Sequence, residues 1–228
     1  MEPKTSLKNI TDKALKIIKN PILFYREMSK SGGYLEPVLF VIVIATIVGL
    51  LMTLFSLFSL GIMAGSAFGF GTILFTILIS IISSFIGAAI LFVIWKLMGS
   101  NQSYETAYHC IAYASVVYPV VALLSPIPYI GSVISVLIST YLMIIASIEV
   151  HDIKQKSAYL VFGILGLIAL FSNINNEIAA RRMASQAEDF AEQFKSFNSN
   201  AGNPKDMSPK EAGRALGEFF KGLEEARK

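Results

Sequence analysis

Two short constellations hold the residues of this chain that could do chemistry. Glu105 and His109 stand one helical turn apart in YETAYHC, and Glu149, His151 and Asp152 crowd the stretch EVHD. A carboxylate and an imidazole at i and i+4 share one helix face, and these two histidines are the only ones in the chain. Brought together, two imidazoles and a carboxylate would satisfy zinc with one position open, and histidine titrates near neutral pH. A plainer use of the same residues is an interfacial network of salt bridges and hydrogen bonds, with Lys154 or Lys156 as counter-ions. Ionisable groups at helix ends need only reach water. No metal, cofactor or catalytic residue is expected. The chain lacks a phosphate loop, a nucleophile elbow, a His-Glu-x-x-His pair and a Cys-x-x-Cys pair. Its one cysteine, Cys110, excludes an internal disulfide.

The elements that must position these residues are apolar helices. With 54% hydrophobic and 15% charged residues and a mean hydropathy of +0.60, the chain is too apolar for a soluble domain of this length. The fold class is all-α, a polytopic membrane protein. Five stretches approach the roughly 20 residues a crossing helix needs: Pro37–Leu60, Thr72–Met98, Tyr104–Leu124, Ile127–Val150 and Ala158–Ser172. Tyr104–Leu124 is the least apolar, carrying Glu105, His109 and Cys110 in its first turns and Pro119 near its end. Pro119, Pro126 and Pro128 fold it back on the next stretch. Lys96, beside Trp95, reads as a snorkelling amine next to an interfacial indole.

Charge sets the orientation. Seven Lys or Arg against three acids fall in the first thirty residues, and Lys96, Lys154 and Lys156 join them on one side if there are five crossings. The loops 61–71 and 125–131 carry no charge. By the positive-inside rule the N-terminus is cytoplasmic and the C-terminus outside or luminal. Four crossings would export Lys154 and Lys156 and fit worse.

The domains expected are a cytoplasmic amphipathic segment at 1–35, a five-helix membrane domain at 36–173 and an exported two-helix tail at 174–228. In the first, Leu7, Ile10, Ala14 and Ile17 share a face, suited to an anionic membrane surface or, alternatively, to capping the bundle. Pro21 after Asn20 opens a second short helix that breaks at Gly32-Gly33. No signal peptide is expected. Thr46, Gly49, Thr53 and Ser56 form a small-residue stripe that should face Thr76, Ser80, Ser83 and Gly87 across a hairpin. Gly61, Gly65 and Gly69 continue that spacing as a crossing, a dimer contact or a turn. In the tail, Ala180, Met183, Ala187, Phe190, Phe194 and Phe197 make one apolar stripe. Ser208-Pro209-Lys210-Glu211 opens a helix bearing Ala212, Leu216, Phe219 and Leu223 on one face.

The stretch NPILFYREMSKSGGYLEPVLF, with Tyr113-Ala114-Ser115, the Ile127-Pro128-Tyr129-Ile130-Gly131 turn and Glu149-Val150-His151-Asp152-Ile153, resembles the Yip family of five-span membrane proteins, over residues 20 to about 172. The resemblance implies a cytoplasmic N-terminus and a luminal C-terminus. Its eukaryotic members are implicated in Rab GTPase binding and vesicle traffic. This chain has only about 35 residues before its first span and a long tail, so it is more similar to prokaryotic members, and GTPase binding is not carried over. The function expected is a non-enzymatic membrane-organising or trafficking-type adaptor. The alternative is a small transporter or channel, metal- or proton-responsive, which would need polar groups at bilayer depth. The expected partner is the lipid bilayer, of the plasma membrane in a prokaryote or an endomembrane in a eukaryote. Protein partners or self-association would use the tail helices and the small-residue faces. Nucleic acid is not expected, since no module for it accompanies the basic residues.

Overall fold

A computed structural model describes residues 7–60 and 62–200 together with Gly213 and Gly217, with side chains at 9–57 and 71–192. Two short helices come first, α1 (Leu7–Lys19) and α2 (Pro21–Glu27). The Asn20 side chain accepts from the Leu23 amide, and Pro21 takes the first helical position where no amide is missed. The long helices follow as α3 (Leu35–Leu60), α4 (Ile62–Leu97), α5 (Tyr104–Ala114), α6 (Tyr118–Leu124), α7 (Ile130–Glu149) and α8 (Gln155–Asn200). Among the described residues there is no strand.

Five candidate spans are long and apolar enough to cross a bilayer: Leu35–Leu57, Gly71–Leu97, Tyr104–Leu124, Ile130–Glu149 and Gln155–Glu192. The third is broken. Pro119 has no N–H to offer the Ser115 carbonyl and its ring presses on it, so the chain tightens into a 3₁₀ turn at Ser115–Val117 and restarts as α6. This span has the lowest mean hydropathy of the five, 1.6, and the largest enclosed share, 61% against 6% for Gly71–Leu97. Its polar residues are tolerated because protein surrounds them.

Where a loop was expected at 61–71, α4 is already helical from Ile62, so Gly65 and Gly69 fall inside it. Gly61 lies outside the described residues. Glycine weakens a helix in water, but membrane helices accept it readily. Helix α3 starts level with the middle of α4: the Tyr34 ring lies 5.9 Å from Phe85 and 5.4 Å from Tyr108. More than three turns of α4 therefore continue past that point.

At Gly49 helix α3 comes close to α4, since a Cβ there would sit 3.0 Å from the Ile73 Cα. The two small-residue stripes nevertheless do not zip along their length. Thr46, Thr53 and Ser56 donate to carbonyls of their own helix, as hydroxyls in membrane helices commonly do. Ser80, Ser83 and Gly87 line a cavity of about 470 Å³ that α5 and α6 help to enclose with Ile111, Tyr118 and Val121. Helix α8 buries Ala158 and Phe162, the latter 6.0 Å from the Trp95 ring, and meets α7 at Gly166, where a Cβ would come 2.6 Å from the Thr140 hydroxyl.

The chain separates into two compact units, 1–174 and 175–228. In the second, Glu177 and Arg181 pair at 2.7 Å one turn apart, and Met183 and Phe190 are exposed. Phe194, Phe197 and the helix expected from Ser208 lie outside the described side chains.

Candidate functional site

The polar residues gather where α1, α2 and the loop after them are seated on the bundle. Ile10 and Ile17 of α1 are buried in one core with Phe24, Tyr25 and Met28 of this segment, Phe40 of α3 and Tyr113, Val116 and Val117 of the third span. The leading expectation for this face, contact with a lipid surface, is corrected: protein covers it. Two isoleucines against a preformed aromatic wall bury more than headgroups would offer them. That wall is Tyr113, with the Phe24 and Phe40 rings edge-on at 5.3 and 5.2 Å. The Tyr25 hydroxyl donates to the Cys110 carbonyl at 3.1 Å, and burial pushes its pKa well up, so it keeps its proton.

Ion pairs tie the rim. Lys13 reaches Glu36 at the start of α3 and donates to the Tyr113 hydroxyl at 3.3 Å. Lys16 pairs with Glu27 at 2.6 Å, closing α1 on α2. The Arg26 guanidinium forks onto both Glu149 oxygens, at 2.8 and 3.2 Å, joining α2 to the end of α7. Lys30 leans toward Asp152 at 3.9 Å. These partners replace the Lys154 and Lys156 expected for Glu149 and Asp152.

Between α2 and α3 the loop Ser29–Gly33 is gripped by α5. Gly32 and Gly33 take φ of +136° and +82°, a region L side chains rarely adopt. The grip is made by one helix face. Glu105 Oε1 accepts the Gly33 amide at 2.7 Å, and the Thr106 hydroxyl donates to the Lys30 carbonyl at 2.9 Å. The His109 ring places Nδ1 3.0 Å from the Ser29 carbonyl oxygen and Nε2 3.0 Å from that of Gly33. Glu105 lies 3.9 Å from the same Nε2.

His151 occupies a separate pocket. Its Nδ1 is 2.8 Å from the Ser100 hydroxyl, its Nε2 is 3.9 Å from the Cys110 sulfur, and its ring stacks on Trp95 at 3.9 Å. Burial first, then the positive charges of Lys30 and Lys96, lowers its pKa to about 3. Trp95 is fully enclosed by protein, and donates its indole N–H to Ser147 at 2.8 Å. The ends of α7 and α8 close over it, which no feature of the Trp95-Lys96 pair could announce.

The five candidate residues thus divide among four settings: Glu105 and His109 on the loop, Glu149 on Arg26, Asp152 on Lys30, and His151 against Trp95. Among the described residues no three of His, Cys, Asp and Glu are grouped so as to hold a metal ion. Buried side-chain polar atoms among them all have partners. Sequence reasoning missed Tyr25, Arg26, Ser100 and Tyr113 as members of this assembly. The signal available for the first two was their place in YREMSKSGG, directly before the glycine pair.

The family model described as Yip1 domain matches residues 15–174. No curated protein and no solved structure matches the chain.

Proposed function

The chain belongs to the Yip family, and from that premise we propose that it is a non-enzymatic membrane-organising adaptor whose working surface is the platform of α1, α2 and the Ser29–Gly33 loop. The carrying observation is how this segment is fixed: a buried isoleucine face, three ion pairs and a three-residue grip from α5 hold it on the membrane domain. Side chains committed to one another in this way position a surface. A reaction site would instead keep a nucleophile or base facing a free space. On the charge argument this platform faces the cytoplasm, and the tail beyond residue 174 lies outside or in a lumen.

The test is copurification from native membranes under mild crosslinking, comparing the natural chain with Ile17→Asp, which unseats α1. A partner held by the natural chain and lost from the variant, with both remaining monodisperse, supports the adaptor. Equal recovery from both would move the working surface elsewhere.

One observation favours the transporter reading, the cavity of about 470 Å³ bearing Ser80, Ser83, Ser84, Ser115 and Tyr118 between α3, α4, α5 and α6. Flux of ions or small solutes into proteoliposomes that falls on Ser83→Leu would establish it and overturn the adaptor.

A further inference from the structure

We propose that His109 is a proton-operated latch: its doubly protonated ring ties the Ser29–Gly33 loop to α5, and loss of one proton loosens the loop. The adaptor reading concerns what the platform binds; the latch concerns how the platform is held, and it stands or falls separately.

A backbone carbonyl can only accept a hydrogen bond. Both ring nitrogens of His109 face one, each at 3.0 Å, at Ser29 and Gly33. A neutral imidazole carries a single N–H, so either tautomer would set a nitrogen lone pair against one of these oxygens. Only the imidazolium donates to both. The residue is 3% exposed, so water is not at hand to fill the missing bond. The same occupancy leaves no lone pair for a metal ion.

The surroundings supply the counter-charge. Glu105, one turn earlier on α5, is 3.9 Å from Nε2 and also holds the Gly33 amide. From the loop itself comes Lys30, which is drawn away toward Asp152. From α1 and α3 come Lys13 and Glu36, paired with each other beside the Tyr113 hydroxyl. Tyr25 of α2 and Cys110 lie beyond, joined through the Cys110 carbonyl, with His151 against the Cys110 sulfur. The Thr106 bond to Lys30 does not titrate and keeps one attachment at any pH. Donor count sets the direction: both carbonyl bonds are made while His109 carries its second proton, and one is lost when that proton leaves. A proton lost here removes one of the two carbonyl bonds and the imidazolium charge facing Glu105, whose carboxylate keeps the Gly33 amide.

The experiment uses the full chain in nanodiscs. A nitroxide at Ser31→Cys, in a Cys110→Ala background, reports loop mobility, and ¹⁵N-histidine NMR of the natural chain reads the protons on each ring nitrogen. His151→Gln assigns the two rings. Across about pH 5 to 9, the span in which histidine ordinarily titrates, His109 is expected to show two protonated nitrogens wherever the label is immobile. Mobility and the loss of one N–H should share a midpoint. His109→Gln should abolish the pH response, and His151→Gln should keep it. A single N–H on His109 while the label stays immobile would overturn the latch, as would an unchanged pH response in His109→Gln. Should that variant fail to fold, the ring spectrum of the natural chain decides alone.

Discussion

Trp95 is held by two unlike contacts, an indole N–H on Ser147 and a ring face on His151. Removing the acceptor leaves a buried donor bare, which costs roughly 1–3 kcal/mol. Ser147→Ala should therefore lower the unfolding temperature in detergent, followed by the emission of Trp95, the one tryptophan in the chain. An unshifted transition would show that the indole does not depend on this bond. His151 makes a second residue-scale prediction. Its pKa in the folded chain is lowered to about 3 by burial, whereas the unfolded chain binds a proton near pH 6.5. The unfolded state then holds more protons between these values, so this stability is complete above about pH 6.5 and is lost as pH falls toward the folded value. The slope can reach ~1.4 kcal/mol per pH unit. His151→Phe keeps a ring on Trp95 without the titration, and denaturant melts at stepped pH should show its acid limb flattened. A natural chain equally stable across that window would refute the neutral buried ring.

At the scale of elements, the glycines separate contact from mere composition. Gly49 stands against the backbone of Ile73, while Gly71 has nothing within 4 Å of where a Cβ would be. Gly49→Val should part α3 from α4 and cost roughly 1–3 kcal/mol, and Gly71→Ala should be close to neutral by the same thermal assay. Equal losses would mean that helix propensity, not close approach, sets the cost. The helices themselves were legible in the sequence because length, Pro21, Pro119 and the Gly32-Gly33 pair are local signals. Their register was not. Nothing local tells Tyr34 that it will meet Phe85, or α4 that it begins at Ile62, since hydropathy reports a crossing and not a neighbour. The same limit applied to the site. Glu105, His109, Glu149, His151 and Asp152 stood out as ionisable groups beside apolar spans, yet their partners Arg26, Lys30 and the Ser29 and Gly33 carbonyls come from another segment. Charge can be read from residue type, but pairing is made by packing.

At the scale of the whole molecule, five helices are long and apolar enough to cross a membrane. Everything rests on the third, Tyr104–Leu124, which is bent at Pro119 and carries the grip on the loop. If it crosses, the α6–α7 turn at Ser125 faces the side away from α1, and the turn between α7 and α8 returns to the side of α1. Impermeant maleimide labelling tests this most directly, in a Cys110→Ala background with single cysteines at Ser125, Ser157 and Asn200 of intact cells or sealed vesicles. Ser125 and Ser157 are exposed, which makes them readable, while buried Ser100 is not. Labelling of Ser125 and Asn200 from outside, with Ser157 reacting only after permeabilisation, is the predicted result. Labelling of Ser157 from outside with protection of Asn200 would contradict the five-span account.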